Sequence, residues 1–564
     1  MTKQADKVLV LGSDTRSFLT VIRSLGRAGK EVHVAWCSRN SLAKTSRYVS
    51  QVHDLDRPPA SSWLSQFREL LDREQFNLVI PCNDPSILPL HQQREALSGY
   101  PIYLVNAEIF DAVMDKAAVN QIAAEIGLKL PAEVVIRSTC DTDQLEKLRP
   151  PYVLKPTQSF TAGRLSSKNH VRIVKDLPSA RRQVEAILER TPVAVQEYFE
   201  GHGVGVEFLA KDGEILMSFQ HRRLHEPPKG GGSSYRKSCK VDPQLGDATT
   251  TLVKALGYSG VGMAEYRYDF KRNDWIFVEL NSRFWGSLPL AVACGANFPL
   301  YLYDLLCDGR RDFPLDYQIN RTARNWMMDV RWLGKTVAAN GMNLPRQLGL
   351  VWQLVSELRY PLTLRESCDA IAWDDTAPGV NEIKEALLEI PQKINRKVFR
   401  VKAGLVSFRN WTRRRLQKKL QTASTLMFVC KGNICRSPFA EQYLLGKTNQ
   451  FKRLDSCGYF PKSGRPSPEN AAIAASQFGV ELSPHRSAEI SAAALERSDV
   501  IFVFDYENYH TVRSQFPRVK SKVFLLSWVS EESPGEIEDP YGGSVEDFKL
   551  TYGRIRDALD SLVS

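Results

Sequence analysis

Apolar and polar positions alternate in a regular order over the first hundred residues. Residues 18–29 and 63–73 carry apolar side chains at helical spacing, and short apolar runs lie around them. These runs predict four strands: Lys7–Leu11, Val32–Trp36, Leu78–Pro81 and Ile102–Val105. Strands that alternate with helices are typical of a parallel sheet covered on both faces. We therefore predict an α/β domain over residues 1–110.

A second pattern places polar groups on one face of a strand near residue 280. Alternate side chains of a strand point the same way, so Glu279, Asn281 and Arg283 share a face. A turn at residues 272–274 predicts a hairpin, and antiparallel pairing would bring Glu265 close to Glu279. Oxygen ligands followed by an arginine suit a divalent cation that holds phosphate. The alternative interpretation is a solvated surface hairpin.

Three further segments change the balance between these interpretations. Lys155 stands in an apolar strand, where a buried ammonium group needs an anionic partner. Lys116 opens a helix-like run, and a strand at 193–197 leads into a hinge at 198–201. In this order the segments resemble the ATP-grasp superfamily over about residues 1–310. The resemblance is closest to its carbamoyl-phosphate-synthase-like and carboxylate–amine ligase branch.

This resemblance implies a Rossmann-like pre-domain and a site for ATP and Mg²⁺, with Mn²⁺ as an alternative metal. The implied contacts of the nucleotide phosphates are Lys116 and Lys155, and Arg283 would stabilise the transferred phosphoryl group. The implied adenosine contacts are Glu197, Tyr198 and Phe199 for adenine and Glu200 for ribose. The implied metal ligands are Glu265, Glu279 and Asn281. Such enzymes activate a carboxylate as an acyl phosphate, which an amine then attacks. The loop that covers the phosphates is expected at 158–164. As an alternative, the loop at 230–234 would close over the substrate, or it would be a surface turn.

The last quarter of the chain begins with an apolar strand that breaks into a glycine-containing loop and enters a helix. The loop is Val429–Pro438. Such a junction forms an anion cradle, because backbone N–H groups and the positive end of the helix point into it. Helix N-termini and nearby cations favour the thiolate form of cysteine, so Cys430 is expected to be a nucleophile with Arg436 in reach of phosphate. The loop resembles that of the low-molecular-weight protein tyrosine phosphatases, and the resemblance runs from about Ser424 to the C-terminus.

The second resemblance implies a mechanism. Cys430 would take the phosphoryl group as a phosphocysteine, Arg436 would bind its oxygens, and Asp539 would protonate the leaving phenol of a phosphotyrosine protein. The other implied phosphate-binding residues are Gly432, Asn433, Ile434, Cys435 and Ser437. Ile434 favours phosphotyrosine, because the related arginine phosphatases tend to carry a smaller Thr there. A protective disulfide between Cys430 and Cys435 under oxidation is a further hypothesis.

The net charge of the 564 residues is +11, and one segment accounts for the whole excess. Residues 393–419 contain eleven Lys and Arg residues and no Asp or Glu, with aromatic and aliphatic side chains between them. A solvated interdomain helix and an anionic membrane surface are equally favoured interpretations, and nucleic-acid binding is less favoured. The ten scattered cysteines fit a reducing compartment. We expect a cytoplasmic protein, peripheral to the inner membrane face if the basic segment binds lipid.

The predicted architecture is α/β and multidomain: a Rossmann-like pre-ATP-grasp domain over 1–110, an ATP-grasp domain over 111–310, a helical connector with the basic segment over 311–422 and a parallel-sheet phosphatase domain over 423–564. The expected function is a bifunctional protein, an ATP- and Mg²⁺-dependent ligase joined to a Cys-dependent tyrosine phosphatase. One alternative is a regulatory phosphatase with a nucleotide-binding scaffold. Another is a phosphatase that acts on a small phosphorylated metabolite or on phosphoarginine. The sequence does not identify the carboxylate and amine substrates.

Overall fold

The computed structural model describes residues 6–14, 16–38, 40–58, 60, 62–157, 171–188, 191–227, 232–341, 343–530 and 535–563. The chain divides into two compact units, Met1–Ala386 and Leu387–Ser564. The loop predicted at 158–164, and residues 230–231 of its alternative, lie outside the described residues.

The first unit begins with a four-stranded parallel sheet in the order β3-β2-β1-β4. Its strands are β1 Lys7–Leu11, β2 Glu31–Ala35, β3 Val49–His53 and β4 Leu78–Pro81. The helices around it are α1 Ser17–Arg27, α2 Trp63–Glu74 and α3 Asp84–Gln92. Phe18, Ile22 and Leu25 recur at helical spacing and are fully buried, so they fix α1 in the core. The predicted parallel α/β fold is confirmed.

Two of the strand predictions for this sheet differ from the structure. The strand β3 was not predicted, because three of its five side chains are exposed and its apolar signal is weak. The strand predicted at 102–105 is reduced to an isolated bridge between Ile102 and Val79.

Two further sheets complete the first unit. The smaller one is antiparallel, in the order β5-β8-β6-β7, with strands β5 Glu133–Ile136, β6 Tyr152–Pro156, β7 Arg172–Val174 and β8 Val193–Glu197. The larger one has the order β13-β12-β9-β10-β11-β14-β15. Its strands are β9 His202–Lys211, β10 Glu214–His225, β11 Tyr235–Cys239, β12 Gly260–Asp269, β13 Asp274–Asn281, β14 Thr322–Arg324 and β15 Glu366–Cys368.

Helices cover these sheets and continue past them. They are α4 Ala107–Met114, α5 Lys116–Glu125, α6 Leu177–Leu188, α7 Pro243–Ala255, α8 Leu288–Ala293, α9 Phe298–Cys307, α10 Trp326–Asn340, α11 Leu344–Glu357, α12 Arg359–Leu362, α13 Ala377–Gly404 and α14 Val406–Leu420.

The segment 311–422 differs from the helical connector that the sequence predicts. It is largely helical, but β14 pairs with β11 and β15 pairs with β14, so both strands extend the large sheet. Its residues up to Ala386 belong to the first unit. Strands of three residues carry no periodic signal, so the apolar pattern could not reveal them.

The second unit contains a parallel sheet in the order β17-β16-β18-β19. Its strands are β16 Thr425–Cys430, β17 Arg453–Gly458, β18 Val500–Val503 and β19 Val523–Leu525. The helices that follow are α15 Arg436–Leu445, α16 Glu469–Ser476, α17 Ala492–Arg497, α18 Tyr506–Gln515 and α19 Val545–Val563. The strand β16 is central and buried, so its last residue, Cys430, opens onto the carboxyl edge of the sheet.

The described part of the basic segment 393–419 packs on this second unit. Phe399 stacks on Tyr509 with ring centroids 4.6 Å apart, and Phe408 and Leu416 join the same core. Trp411 stays 57% exposed. The segment therefore lies on two helices, α13 and α14, that pack on the core of the second unit, and it is not one solvated helix. Within the described residues, no helix is both long and apolar enough to cross a bilayer.

Candidate active sites

The hairpin of β12 and β13 brings the predicted metal ligands together. The register places Glu265 directly opposite Glu279, as the turn at 272–274 predicts. Asn281 Nδ2 donates to Glu279 Oε1 at 3.2 Å. Arg223 Nη2 stands 2.6 Å from Glu265 Oε1 and neutralises that carboxylate. Two carboxylates and an amide oxygen form the hard-oxygen donor set that Mg²⁺ prefers. Among the described residues, no group of three or more His, Cys, Asp or Glu side chains could hold a metal ion.

Two lysines from other elements lie near Glu279. Lys116, at the start of α5, has Nζ 3.0 Å from Glu279 Oε2. Lys155, on β6, is buried and donates to the carbonyl oxygen of Val278 at 3.4 Å. Burial lowers the pKa of Lys155 to about 8, and Glu279 limits the shift. Burial alone would raise the pKa of Glu279, but Lys116 and Lys155 hold it well below its usual range. The site therefore keeps a carboxylate beside two cations that phosphate oxygens could share.

Arg283 lies at the other end of this group, where the parallel α/β domain meets the hairpin. Its Nε stands 2.6 Å from Asp84 Oδ1, at the first residue of α3. Burial would lower the pKa of Arg283, but Asp84 raises it above its ordinary value. A cavity of about 890 Å³ is lined by Asp84, Arg283, Lys116, Glu279 and Asn281 among others. The contact between residues 84 and 283 was not predicted, because nothing in the local sequence links the two.

Arg16 is a second cation near Arg283 that the sequence did not single out. Its guanidinium lies against Gly286, where an added Cβ would stand 2.5 Å from Arg16 Nη1. Burial lowers the pKa of Arg16, Asp14 offsets part of that shift, and Arg236 and Arg283 lower it further. An anionic group placed here would relieve the repulsion among the three arginines.

The predicted adenosine contacts lie apart from that cavity. Glu197 ends β8, and its Oε1 accepts a hydrogen bond from the backbone N–H of Arg149 at 2.8 Å. The backbone N–H of Tyr198 donates to Pro151. Tyr198 and Glu200 are exposed and Phe199 is half-buried. None of residues 197–200 is among the described residues that line the cavity.

In the second unit, the loop after β16 wraps around the Cys430 thiol. The backbone N–H of Asn433 lies 3.2 Å from Cys430 Sγ, and Ser437 Oγ lies 3.1 Å from it. The backbone of Asn433 lies in the left-handed region, with φ 51°. Its buried side-chain amide donates to Ser437 and Ser456. Its Oδ1 accepts from the N–H of Ala488 at 2.7 Å. Asn433 therefore shapes the loop with its side chain, beyond the phosphate-binding role that the sequence predicts for it.

The guanidinium of Arg436 is buried and aimed at the same cradle. Its Nη1 donates to Asp505 Oδ2 at 2.6 Å and to the Ile537 carbonyl at 2.9 Å, and its Nη2 stands 2.9 Å from Asp539 Oδ2. Burial would lower the pKa of Arg436, but Asp539 and Asp505 raise it. The Asp539 side chain is 38% exposed, so it can meet both a substrate and the loop.

Comparisons with known proteins agree with this geometry. Residues 425–564 match the family model "Low molecular weight phosphotyrosine protein phosphatase". The probable low-molecular-weight protein-tyrosine-phosphatase AmsI of Erwinia amylovora is 31% identical over 142 residues, which are 25% of this chain and 96% of that protein.

Through these residues, the chain belongs to the low-molecular-weight phosphotyrosine protein phosphatase family.

Other relatives differ in their stated substrate. The protein-arginine-phosphatase of Geobacillus stearothermophilus is 29% identical over 138 residues, which are 24% of this chain and 90% of that protein.

Residues 189–333 match a second family model, "ATP-grasp in the biosynthetic pathway with Ter operon". The crystal structure of an L-amino acid ligase from Bacillus licheniformis is similar to 57% of this chain and 79% of that chain, at 18% identity and a TM-score of 0.45. The two family models thus match separate parts of the chain, an ATP-grasp region at residues 189–333 and a phosphatase region at residues 425–564.

The phosphatase domain holds two features that the sequence did not predict. Arg465 Nη2 donates to the Gly432 carbonyl at 2.5 Å and so braces the loop from outside. Gly458 lies so close to the loop that a Cβ there would stand 2.8 Å from Asn433 N and from Lys431 O. The thiols of Cys430 and Cys435 are both free, so the proposed disulfide between them stays a prediction.

Proposed function

We propose that the protein is a bifunctional enzyme, with a phosphocysteine-forming tyrosine phosphatase in residues 425–564 and an ATP-dependent carboxylate–amine ligase in the ATP-grasp half. The observation that carries the phosphatase part is the convergence of three groups on one loop. Cys430 Sγ receives an N–H from Asn433, and Arg436 joins the loop to Asp539 at 2.9 Å. This is the arrangement that nucleophilic attack with general acid help requires.

The phosphatase reaction proceeds in two displacements. In the first, Cys430 Sγ forms a bond to phosphorus while the ester P–O bond breaks, and Asp539 gives its proton to the leaving oxygen. In the second, a water oxygen bonds to phosphorus, the S–P bond breaks, and Asp539 takes the proton of that water. Arg436 and the loop N–H groups hold the equatorial oxygens throughout. Because Asp505 also binds Arg436, the guanidinium is fixed before substrate arrives.

A tyrosine phosphate is the favoured substrate of this domain. Ile434 is 7% exposed in the loop that follows Cys430, and a smaller residue at this position would leave room for a different leaving group. The matched relatives include both tyrosine and arginine phosphatases, so the two substrates need to be compared directly. Two variants test the phosphocysteine intermediate. They are Cys430→Ser, and Asp539→Asn quenched in acid. Mass spectrometry should find phosphocysteine at position 430 in the Asp539→Asn variant and no phosphocysteine in the Cys430→Ser variant.

The ligase half uses the acids of the hairpin and the cations around them. Lys116 and Lys155 would hold the phosphates of ATP, and Glu265, Glu279 and Asn281 would hold Mg²⁺. When bound, that metal supplies charge neutralisation between phosphate oxygens. Arg283 would stabilise the transferred phosphoryl group, and Arg16 would receive the carboxylate of the acid. Binding of ATP would replace the Lys116–Glu279 ion pair with contacts to phosphate and metal.

Product analysis tests the ligase assignment. Full-length protein is incubated with ATP, Mg²⁺ and a pooled set of carboxylates and amines, and the products are identified by mass spectrometry. A new amide together with ADP is expected. Glu279→Gln should abolish both, whereas Glu214→Gln, an exposed acid on the same sheet, should not.

One observation favours a second candidate, a nucleotide-binding scaffold that regulates the phosphatase. Arg223 already neutralises Glu265 at 2.6 Å, so one of the metal ligands has a resident partner. ATP binding without ADP release across the whole substrate pool would support this candidate over the ligase.

A further inference from the structure

The helices α10, α11 and α12 expose a continuous set of large apolar side chains. On α11 these recur at helical spacing, as Leu344, Leu348, Val351, Trp352 and Val355, so they form one stripe. Trp352 is 75% exposed and Leu348 is 60% exposed. The set continues on both sides with Trp326, Val330, Val337, Leu358, Leu362 and Leu364, all exposed. Isolated surface leucines are normal, but a contiguous apolar set of this size marks an interaction surface.

The outward direction of this face is fixed by a buried polar cluster on the other side. His225, on β10, is fully buried between two acids: its Nδ1 is 2.6 Å from Asp329 on α10, and its Nε2 is 2.8 Å from Glu357 on α11. Arg324 pairs with the same two acids. Trp332 stacks on His225 with ring centroids 3.5 Å apart. Because the acids of both helices are held inside, their apolar stripes are turned outward.

The exposed charges of residues 326–365 have one sign. Between residues 326 and 365 the acids are Asp329 and Glu357, both buried, and Glu366 just beyond them pairs with Arg324. The cations of the segment are all exposed: Arg331, Lys335, Arg346, Arg359 and Arg365. A water-facing helix pair usually mixes both signs. Here leucine, valine and tryptophan side chains stand among cations alone.

We propose that this face, defined by the exposed apolar and basic residues of 326–365, binds the surface of an anionic lipid bilayer. Amphipathic helices with Trp and Leu on one side and only Lys and Arg beside them lie in the interface plane of such membranes. Each cation near the surface adds to the attraction of anionic headgroups. At 15 and 14 residues, α10 and α11 are too short to span the hydrocarbon core, so they lie on it. The surface is distinct from the basic segment 393–419, whose described aromatic side chains pack mostly inward.

Vesicle flotation of the full-length protein tests this proposal. The probes are vesicles of phosphatidylcholine alone and of phosphatidylcholine with about 30 mol% phosphatidylglycerol. Binding to the second and weak binding to the first are expected. Leu348→Glu combined with Trp352→Glu should lower partitioning by more than about tenfold. The matched control is Leu315→Glu, a leucine of the first unit that is 70% exposed outside this face, and it should bind as the unaltered protein does.

The electrostatic part has its own variant. Arg331→Gln with Arg359→Gln should weaken binding to the anionic vesicles by roughly 30-fold, since each cation contributes about a factor of five. An unchanged circular dichroism spectrum and an unchanged thermal midpoint of the first unit show that each variant is folded.

Three results would overturn the proposal. One is equal binding to neutral and anionic vesicles, and another is equal binding by the Leu348→Glu, Trp352→Glu protein and the Leu315→Glu control. The third is absence of vesicle binding together with a fall in molar mass, by light scattering, in the Leu348→Glu, Trp352→Glu protein. That result would assign the face to contacts between copies of this chain.

Discussion

Replacing Asn433 with alanine should open the phosphatase loop, and the size of the effect follows from its contacts. The substitution removes the hydrogen bond that the Ala488 N–H donates to Asn433 Oδ1, worth about 1 kcal/mol. It also removes the bonds to Ser437 and Ser456, worth about 1 kcal/mol each. Alanine at φ 51° adds about 1 kcal/mol, since asparagine tolerates the left-handed region better. The sum is about 4 kcal/mol.

Hydrogen exchange of the full-length protein measures this free energy locally. A loss of about 4 kcal/mol in the local opening free energy predicts roughly 10³-fold faster exchange for the amides of residues 430–445. The increase is smaller only if global unfolding already sets their exchange rate. The control is Asn470→Ala, because Asn470 makes a single side-chain bond, to the Gly543 carbonyl, and should cost about 1 kcal/mol. If Asn433→Ala changed exchange no more than Asn470→Ala, the account of Asn433 as the residue that shapes the loop would be wrong.

Other substitutions test separate parts of the account. Asp539→Asn should lower kcat for an unactivated aryl phosphate by roughly 10²–10⁴-fold and for a nitrophenyl ester much less, and equal losses would argue against its role as the acid. Gly458→Ala places a Cβ 2.8 Å from loop backbone and should lower kcat/KM by more than about tenfold, whereas Gly446→Ala, whose Cβ would meet its nearest atom at 3.6 Å, should keep full activity. Burial would lower the pKa of His225, but Asp329 and Glu357 raise it overall. Because the pKa of His225 is higher in the folded state, its protonated ring stabilises the fold at low pH. This contribution to the free energy of unfolding is lost as pH rises above the ordinary His pKa of about 6.5. The thermal midpoint of the first unit should therefore fall as pH rises from that value, and His225→Gln should flatten the dependence; an unchanged slope would refute it.

Local patterns in the sequence predicted the parts of the molecule that depend on neighbours along the chain. Alternation on β13 and the turn before it were enough to place Glu265 opposite Glu279. The loop from Cys430 to Arg436 was predicted because strand, loop and helix follow one another directly. In both cases the chemistry lies within about twenty residues of sequence.

The features that the sequence did not reveal depend on distant contacts. Asp84 meets Arg283 across 199 positions, and no periodicity encodes that distance. Arg465 reaches Gly432 only because the loop that carries it folds back over the cradle. The apolar spacing of α11 is that of an ordinary core face, and only the structure shows that Glu357 is buried while Leu348 and Trp352 are exposed.

The central claim is that two separate phosphate-handling centres work in one chain, and a crossed assay tests it most directly. ADP release with Mg²⁺ and an accepted acid and amine, and hydrolysis of an aryl phosphate, are measured for Cys430→Ser and for Glu279→Gln. Cys430→Ser should lose hydrolysis and keep ADP release, and Glu279→Gln should do the reverse. Loss of both activities in either variant, or hydrolysis that survives Cys430→Ser, would contradict the account.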